Sequence, residues 1–177
     1  MGKRYLPWMA CAAIAVVSAP AFAFGKADDP TTSAELVAHD GDGGAVWFQD
    51  AASASTSDHT VEIVAGQSVK FSFPGPGTIH NVAIPTTGGT QPTTCNQTKL
   101  ANTGGTLDRD GKLPMPELAG GLPGWEGYCT FDTPGTYTLV CAVHEAQGMF
   151  ATVIVAEPTA TPTATATTTP EPTATPT

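Results

Sequence analysis

The sequence predicts an all-β fold, a sandwich or barrel, and three observations carry that expectation. Apolar runs are short, alternate with polar residues and are rich in Val, Thr and aromatics, as half-buried strands require. Gly and Pro, 19 and 16 of 177 residues, punctuate those runs with turns. Charged residues make up 13% of the chain, about half the usual share of roughly 25%, which leaves little material for long amphipathic helices or coiled coils.

Taken in order, the chain opens with a segment that is not part of the fold. Lys3 and Arg4, the apolar run Met9–Val17 and the small-x-small site Ala21-Phe22-Ala23 read as a secretory signal over 1–23, too short to span a bilayer. Residues 24–44 read as an N-terminal linker and 45–157 as the folded domain. Its first strand is expected at Ala45–Phe48, followed by Val61–Val64 and Val69–Phe73, with Ala65-Gly66-Gln67 as the turn between the latter two. Pro74-Gly75-Pro76-Gly77 breaks the chain, and His80–Ile84 resumes as a strand. Residues 85–128 show no sustained period and read as a long loop insertion with a short helix around Thr94–Ala101. Thr133-Pro134-Gly135 turns the chain into Thr136–Val140, and Phe150–Val155 closes the domain. The tail, 158–177, is almost wholly Thr, Ala and Pro; it offers no core residues and reads as a disordered stalk or linker.

Charge excludes one class of function. The chain carries 7 basic and 16 acidic residues, a net charge of −9, and removing the signal leaves 5 basic residues and −11. A nucleic-acid binder needs a basic face to displace counterions, and the sequence offers none. The mature chain has no segment that would span a membrane, and it reads as an exported monomer, in a periplasmic, cell-surface or extracellular setting.

Of the four cysteines, Cys11 lies in the signal, leaving Cys95, Cys129 and Cys141. An odd count in an exported protein leaves one thiol over. A Cys95–Cys129 bridge would staple the insertion and is the preferred pairing, although counting alone also admits Cys95–Cys141 and Cys129–Cys141. With Cys95–Cys129 paired, Cys141 stands alone, and a metal is the obvious occupant for an exported thiol that would otherwise oxidise.

The residues after Cys141 carry the chemistry. Cys141, His144 and Met149 follow the spacing Cys-x2-His-x4-Met in a loop between two expected strands. His80, far upstream, offers a second imidazole. Two imidazoles, a thiolate and a weak thioether form the ligand set of a blue-copper electron-transfer centre, in which three strong donors in a plane suit both Cu(I) and Cu(II). Taken singly, a buried Cys near a His is often inert, a Met before a strand is often core, and His80 is often a satisfied strand residue; the joint pattern points to copper.

With these residues, the chain resembles the cupredoxins, especially the plastocyanin and pseudoazurin type. The matching features are Phe73-Pro74, His80-Asn81-Val82, Pro134-Gly135-Thr136-Tyr137, Cys141-x2-His144-x4-Met149 and the closing strand. The resemblance spans Trp47–Val155, interrupted by the insertion. It implies a Greek-key β-sandwich holding one type 1 copper ion on His80, Cys141, His144 and Met149. It also implies that Asn81 ties the two ligand loops together and that Tyr137 packs at the corner before the ligand loop. The implied function is one-electron transport between transient redox protein partners through the exposed edge of His144, not enzymatic catalysis. The alternatives are a carrier or store that hands over copper itself, and a cell-surface module with structural copper. Two departures from the family pattern are the insertion and Ala142, which follows the thiolate where the family often has a polar residue.

Other motifs carry less. A Cys–His hydrolase would leave Met149 without purpose. Asp40-Gly41-Asp42-Gly43 and Asp108-Arg109-Asp110-Gly111 lack the spacing and closing Glu of calcium loops and read as turns. His39 and His59 read as surface residues, Trp47 as core, and Trp125 as either a residue at the copper end or a pin for the insertion. Asn96-Gln97-Thr98 is a glycosylation sequon.

Overall fold

The computed structural model describes residues 32–159. The signal segment 1–23 and nearly all of the tail 158–177 lie outside the described residues. Among the described residues, eight strands build two mixed sheets, joined by loops and three short 3-10 turns with no α-helix. The strands are β1 (Thr32–Asp40), β2 (Val46–Asp50), β3 (Thr60–Val64), β4 (Gln67–Ser72), β5 (Thr94–Lys99), β6 (Glu126–Phe131), β7 (Gly135–Val140) and β8 (Phe150–Ala156).

The first sheet has the order β2-β1-β4-β6-β5 and the second β3-β8-β7. Strand β1 runs parallel to β4 and β3 parallel to β8; the other pairings are antiparallel. Alternation decides what faces inward. Val69, Phe71 and Phe73 from the β4 segment, Cys129 and Phe131 from β6, Tyr137 and Leu139 from β7, and Ala151, Val153 and Val155 from β8 are all buried and form one core between the sheets. The Tyr137 hydroxyl reaches back to donate to the Thr133 carbonyl (2.8 Å), pinning the corner that leads into β7.

Four expectations are corrected. The N-terminal linker 24–44 contains β1, so the domain begins before residue 45. Leu36 and Ala38 face the core from β1, but the apolar Val37 between them and the small size of alanine mute the alternation in the sequence. The short helix expected around Thr94–Ala101 is instead β5, a polar edge strand. Its buried contributions are Cys95 and Gln97, and the Gln97 side chain is held by donating to the Lys99 carbonyl (2.8 Å) and accepting from Asp108 N (3.2 Å). The strand expected at His80–Ile84 is reduced to two isolated bridges, Val82 with Met115 and Ala83 with Val140. Trp47 is only half-buried and stacks on His39, with ring centroids 5.3 Å apart.

The insertion is therefore part of the sandwich. It supplies β5 and the first residues of β6, and a disulfide joins Cys95 to Cys129, which face each other across those two strands. Gly127 allows this layer to close: a Cβ there would meet Met115 Sδ and the Asn96 carbonyl at 2.5 and 2.8 Å.

Candidate metal centre

Three donor atoms from two distant parts of the chain converge at one end of the sandwich. The Cys141 sulfur lies 3.7 Å from His80 Nδ1 and 3.4 Å from His144 Nδ1, and the two nitrogens are 3.1 Å apart. A point equidistant from the three lies about 2.0 Å from each, close to ordinary metal–imidazole (about 2.0–2.1 Å) and metal–thiolate (about 2.3 Å) bond lengths. His80 and Cys141 are fully buried, while His144 is half-buried. The three atoms can share protons only among themselves, whereas a single cation would meet a lone pair of all three at once. The residues fit a metal ion.

Local structure explains the convergence. Cys141 directly follows β7, and the chain then closes a compact loop before β8. His144 N donates to the Cys141 carbonyl (3.0 Å), Met149 N to the His144 carbonyl (3.2 Å) and Cys141 N to the Met149 carbonyl (3.1 Å). Gly148, at φ 80°, reverses the chain in a left-handed conformation that a side chain would strain. Met149 is fully buried at the start of β8. Asn81 Oδ1 accepts from Ala142 N (2.9 Å), joining the His80 segment to the Cys141 loop. Glu145 adds a second tie, since its carboxylate accepts from Thr86 N (3.0 Å) and Thr86 Oγ1 (3.1 Å).

His80 is held on every side. Its backbone N donates to the Gly121 carbonyl (2.8 Å), and its carbonyl accepts from Trp125 Nε1 (2.9 Å). Trp125 thus lies beside the candidate site and pins the insertion there. Phe73 packs its edge against the His80 ring, with centroids 4.6 Å apart. On the far side of the ring, Nε2 donates to Asp40 Oδ2 (2.6 Å), which fixes the tautomer and leaves the Nδ1 lone pair facing the sulfur.

Electrostatics follow from this enclosure. Burial pushes the Cys141 thiol up, against the opposing pull of the Asn81, Val143 and His144 backbone N–H groups that point at the sulfur. Burial also pushes His80 down, with Asp40 opposing. Desolvation raises the Asp40 carboxyl, but its bonds to His80 and Thr78 together outweigh that and hold it below the ordinary carboxylate range. Asp40 and Glu145 are the functional residues that sequence reasoning missed. In the sequence Asp40 reads only as part of a turn, and no spacing rule links it to His80.

The family model described as copper binding proteins of the plastocyanin/azurin family matches residues 37–156. The chain belongs to the copper-binding plastocyanin/azurin family. The match covers the site cluster and runs from β1 to the end of β8. Among solved structures, the chain is similar to oxidised plastocyanin from Dryopteris crassirhizoma, at 22% identity over 69% of this chain and 99% of that one, with a TM-score of 0.38. It is also similar to amicyanin from Paracoccus versutus (20% identity, 74% and 88% covered, TM-score 0.37). Pseudoazurin from Methylobacterium extorquens AM1 is a third (21%, 68% and 72%, TM-score 0.33). No curated protein matches the chain.

Proposed function

We propose that this member of the plastocyanin/azurin family is an exported one-electron carrier with a type 1 copper site on His80, Cys141, His144 and Met149. The observation that carries the reading is the triangle of His80 Nδ1, Cys141 Sγ and His144 Nδ1, with edges of 3.1–3.7 Å. Copper bound there supplies a Cu(II)/Cu(I) couple. The chain's own contribution is rigidity: hydrogen bonds hold both ligand segments, so little has to move when an electron arrives or leaves. Cys141 supplies the thiolate and buried Met149 the weak fourth donor. His144 is half-buried, and Ala142, Val143, Ala146 and Gly148 around it in sequence are exposed. This small, apolar surface suits brief docking to a redox protein, where release matters as much as binding. The enclosed donors favour retaining copper over handing it on, and the carrier makes and breaks no substrate bond.

Export and monomeric behaviour belong to the same proposal. The signal segment supports export, and among the described residues no helix is long and apolar enough to cross a membrane. The test is the visible and EPR spectrum of the copper-loaded protein. The expected result is an intense thiolate-to-copper absorption that Cys141→Ser abolishes; a band that survives the substitution would remove Cys141 from the site. Cyclic voltammetry then decides the carrier role, since a copper centre without a reversible couple is not a carrier.

A further inference from the structure

The two imidazoles of the cluster have unequal surroundings. His144 is half-buried, and among the described residues its Nε2 has no side-chain partner. His80 is completely buried, and its Nε2 donates to Asp40 Oδ2 at 2.6 Å, shorter than an ordinary nitrogen–oxygen bond, the direction in which a charged acceptor moves it. The carboxylate comes from the end of β1, forty residues before the histidine it serves. It is held in place from its other side, because Thr78 Oγ1 donates to Oδ1 (3.1 Å) and Thr78 N to Oδ2 (3.3 Å). No lysine or arginine among the described residues pairs with it: Lys70 and Lys99 are engaged with Glu35 and Glu126. The backbone crowds the same spot, since a Cβ at Gly77 would collide with Asp40 Oδ2.

We propose that Asp40 is a positioning and charge-setting residue of the metal centre, acting through His80 to bias bound copper toward Cu(II). The proposal rests on the copper reading above. A full negative charge accepting the Nε2 proton's hydrogen bond makes the His80 ring a stronger donor at Nδ1. A stronger donor and a nearby fixed anion both favour the more highly charged ion, so the site holds Cu(II) more tightly relative to Cu(I). The bond also fixes the ring angle, together with the Phe73 contact. Because the anion sits behind the buried ligand, it acts on the centre without altering the surface around His144.

The experiment compares the full-length copper-loaded protein with Asp40→Asn. Asparagine keeps the shape and one oxygen to accept from His80 Nε2, removes the charge, and replaces the other oxygen with an amide nitrogen that the Thr78 hydroxyl can accept from. The expected result is a retained visible band with the Cu(II)-to-Cu(I) affinity ratio lowered about tenfold, an upward potential shift of about 59 mV. A shift well below that, or a downward one, overturns the proposal. A wild-type protein without the visible band would instead refute the copper reading, so the two failures are distinct. If Asp40→Asn does not fold, nitrogen-15 NMR of the reduced wild-type protein decides. A slowly exchanging His80 Nε2 proton with the downfield shift of a strong ionic hydrogen bond supports the proposal, and a rapidly exchanging or absent one overturns it.

Discussion

Met149 shows how much one residue's place can say. It is fully buried where the ligand loop meets β8, and its backbone bonds to both Cys141 and His144. As a weak thioether donor it would stabilise Cu(II) slightly, so its loss should favour Cu(I). Met149→Leu, close to isosteric, is expected to keep copper bound and raise the potential by about 59 mV or more, a tenfold or larger change in the affinity ratio. Cyclic voltammetry checks this, and an unchanged potential would take Met149 out of the ligand set. At this scale the site was legible because Cys, His and Met are sparse and chemically distinctive: the chain has only four of each. Asp40 and Glu145 stayed hidden for the opposite reason. Sixteen acidic residues are scattered through the sequence, and only the fold shows which carboxylate lies behind a ligand.

Among the elements, those that announce themselves by alternation, β3, β4, β7 and β8, were legible, and those stabilised by other means were not. Strand β5 has a polar sequence and is held by its ladder to β6 and by the Cys95–Cys129 bridge. Strand β1 buries Leu36 and the small Ala38, but the apolar Val37 between them hides the period of two. The insertion looked like an appendage because it lacks a period, yet its backbone and Trp125 grip His80. That grip is testable. Trp125→Phe removes the Nε1 donor from the buried His80 carbonyl and shrinks a fully buried ring. An unsatisfied buried acceptor costs about 1–3 kcal/mol, and the smaller ring adds a cavity. Guanidinium unfolding should therefore show a loss of about 2 kcal/mol or more, accompanied by faster copper removal by a chelator. Trp47→Phe, at the half-buried stack with His39, should cost less and leave copper removal unchanged. Equal losses for the two substitutions would show that Trp125 is merely a core residue.

Across the whole molecule, the proposed metal site joins the two sheets, with His80 on the loop leaving β4 of one and Cys141, His144 and Met149 between β7 and β8 of the other. A second device works within one sheet. Glu35 on β1, Lys70 on β4, Glu126 on β6 and Lys99 on β5 form a ladder of alternating charge across four adjacent strands, with N···O distances of 2.8–3.3 Å. The edge residue Lys99 blunts a strand that could otherwise pair with another chain. Desolvation pushes the Glu126 carboxyl up, but the two lysines outweigh it and hold the group below its usual value of 4.5. A carboxyl depressed in the folded state binds its proton less readily than in the unfolded chain. Its stabilisation is therefore complete above pH 4.5 and fades as the pH falls through the folded value. Burial pushes Lys70 down, yet its glutamate partners raise it above 10.5, so its share is present below that pH and lost as the pH climbs through the raised value. Because all four side chains are partly exposed, the ladder's worth is modest. Glu126→Gln should lower stability by about 1 kcal/mol at neutral pH and low salt, less in high salt. Melting curves of both proteins from pH 7 to pH 2 check the sign: the gap between them should close as acid neutralises Glu126 in the parent protein. A gap that stays constant down to pH 2 would mean that the glutamine is misplaced for reasons of packing and that the ladder's charge contributes nothing.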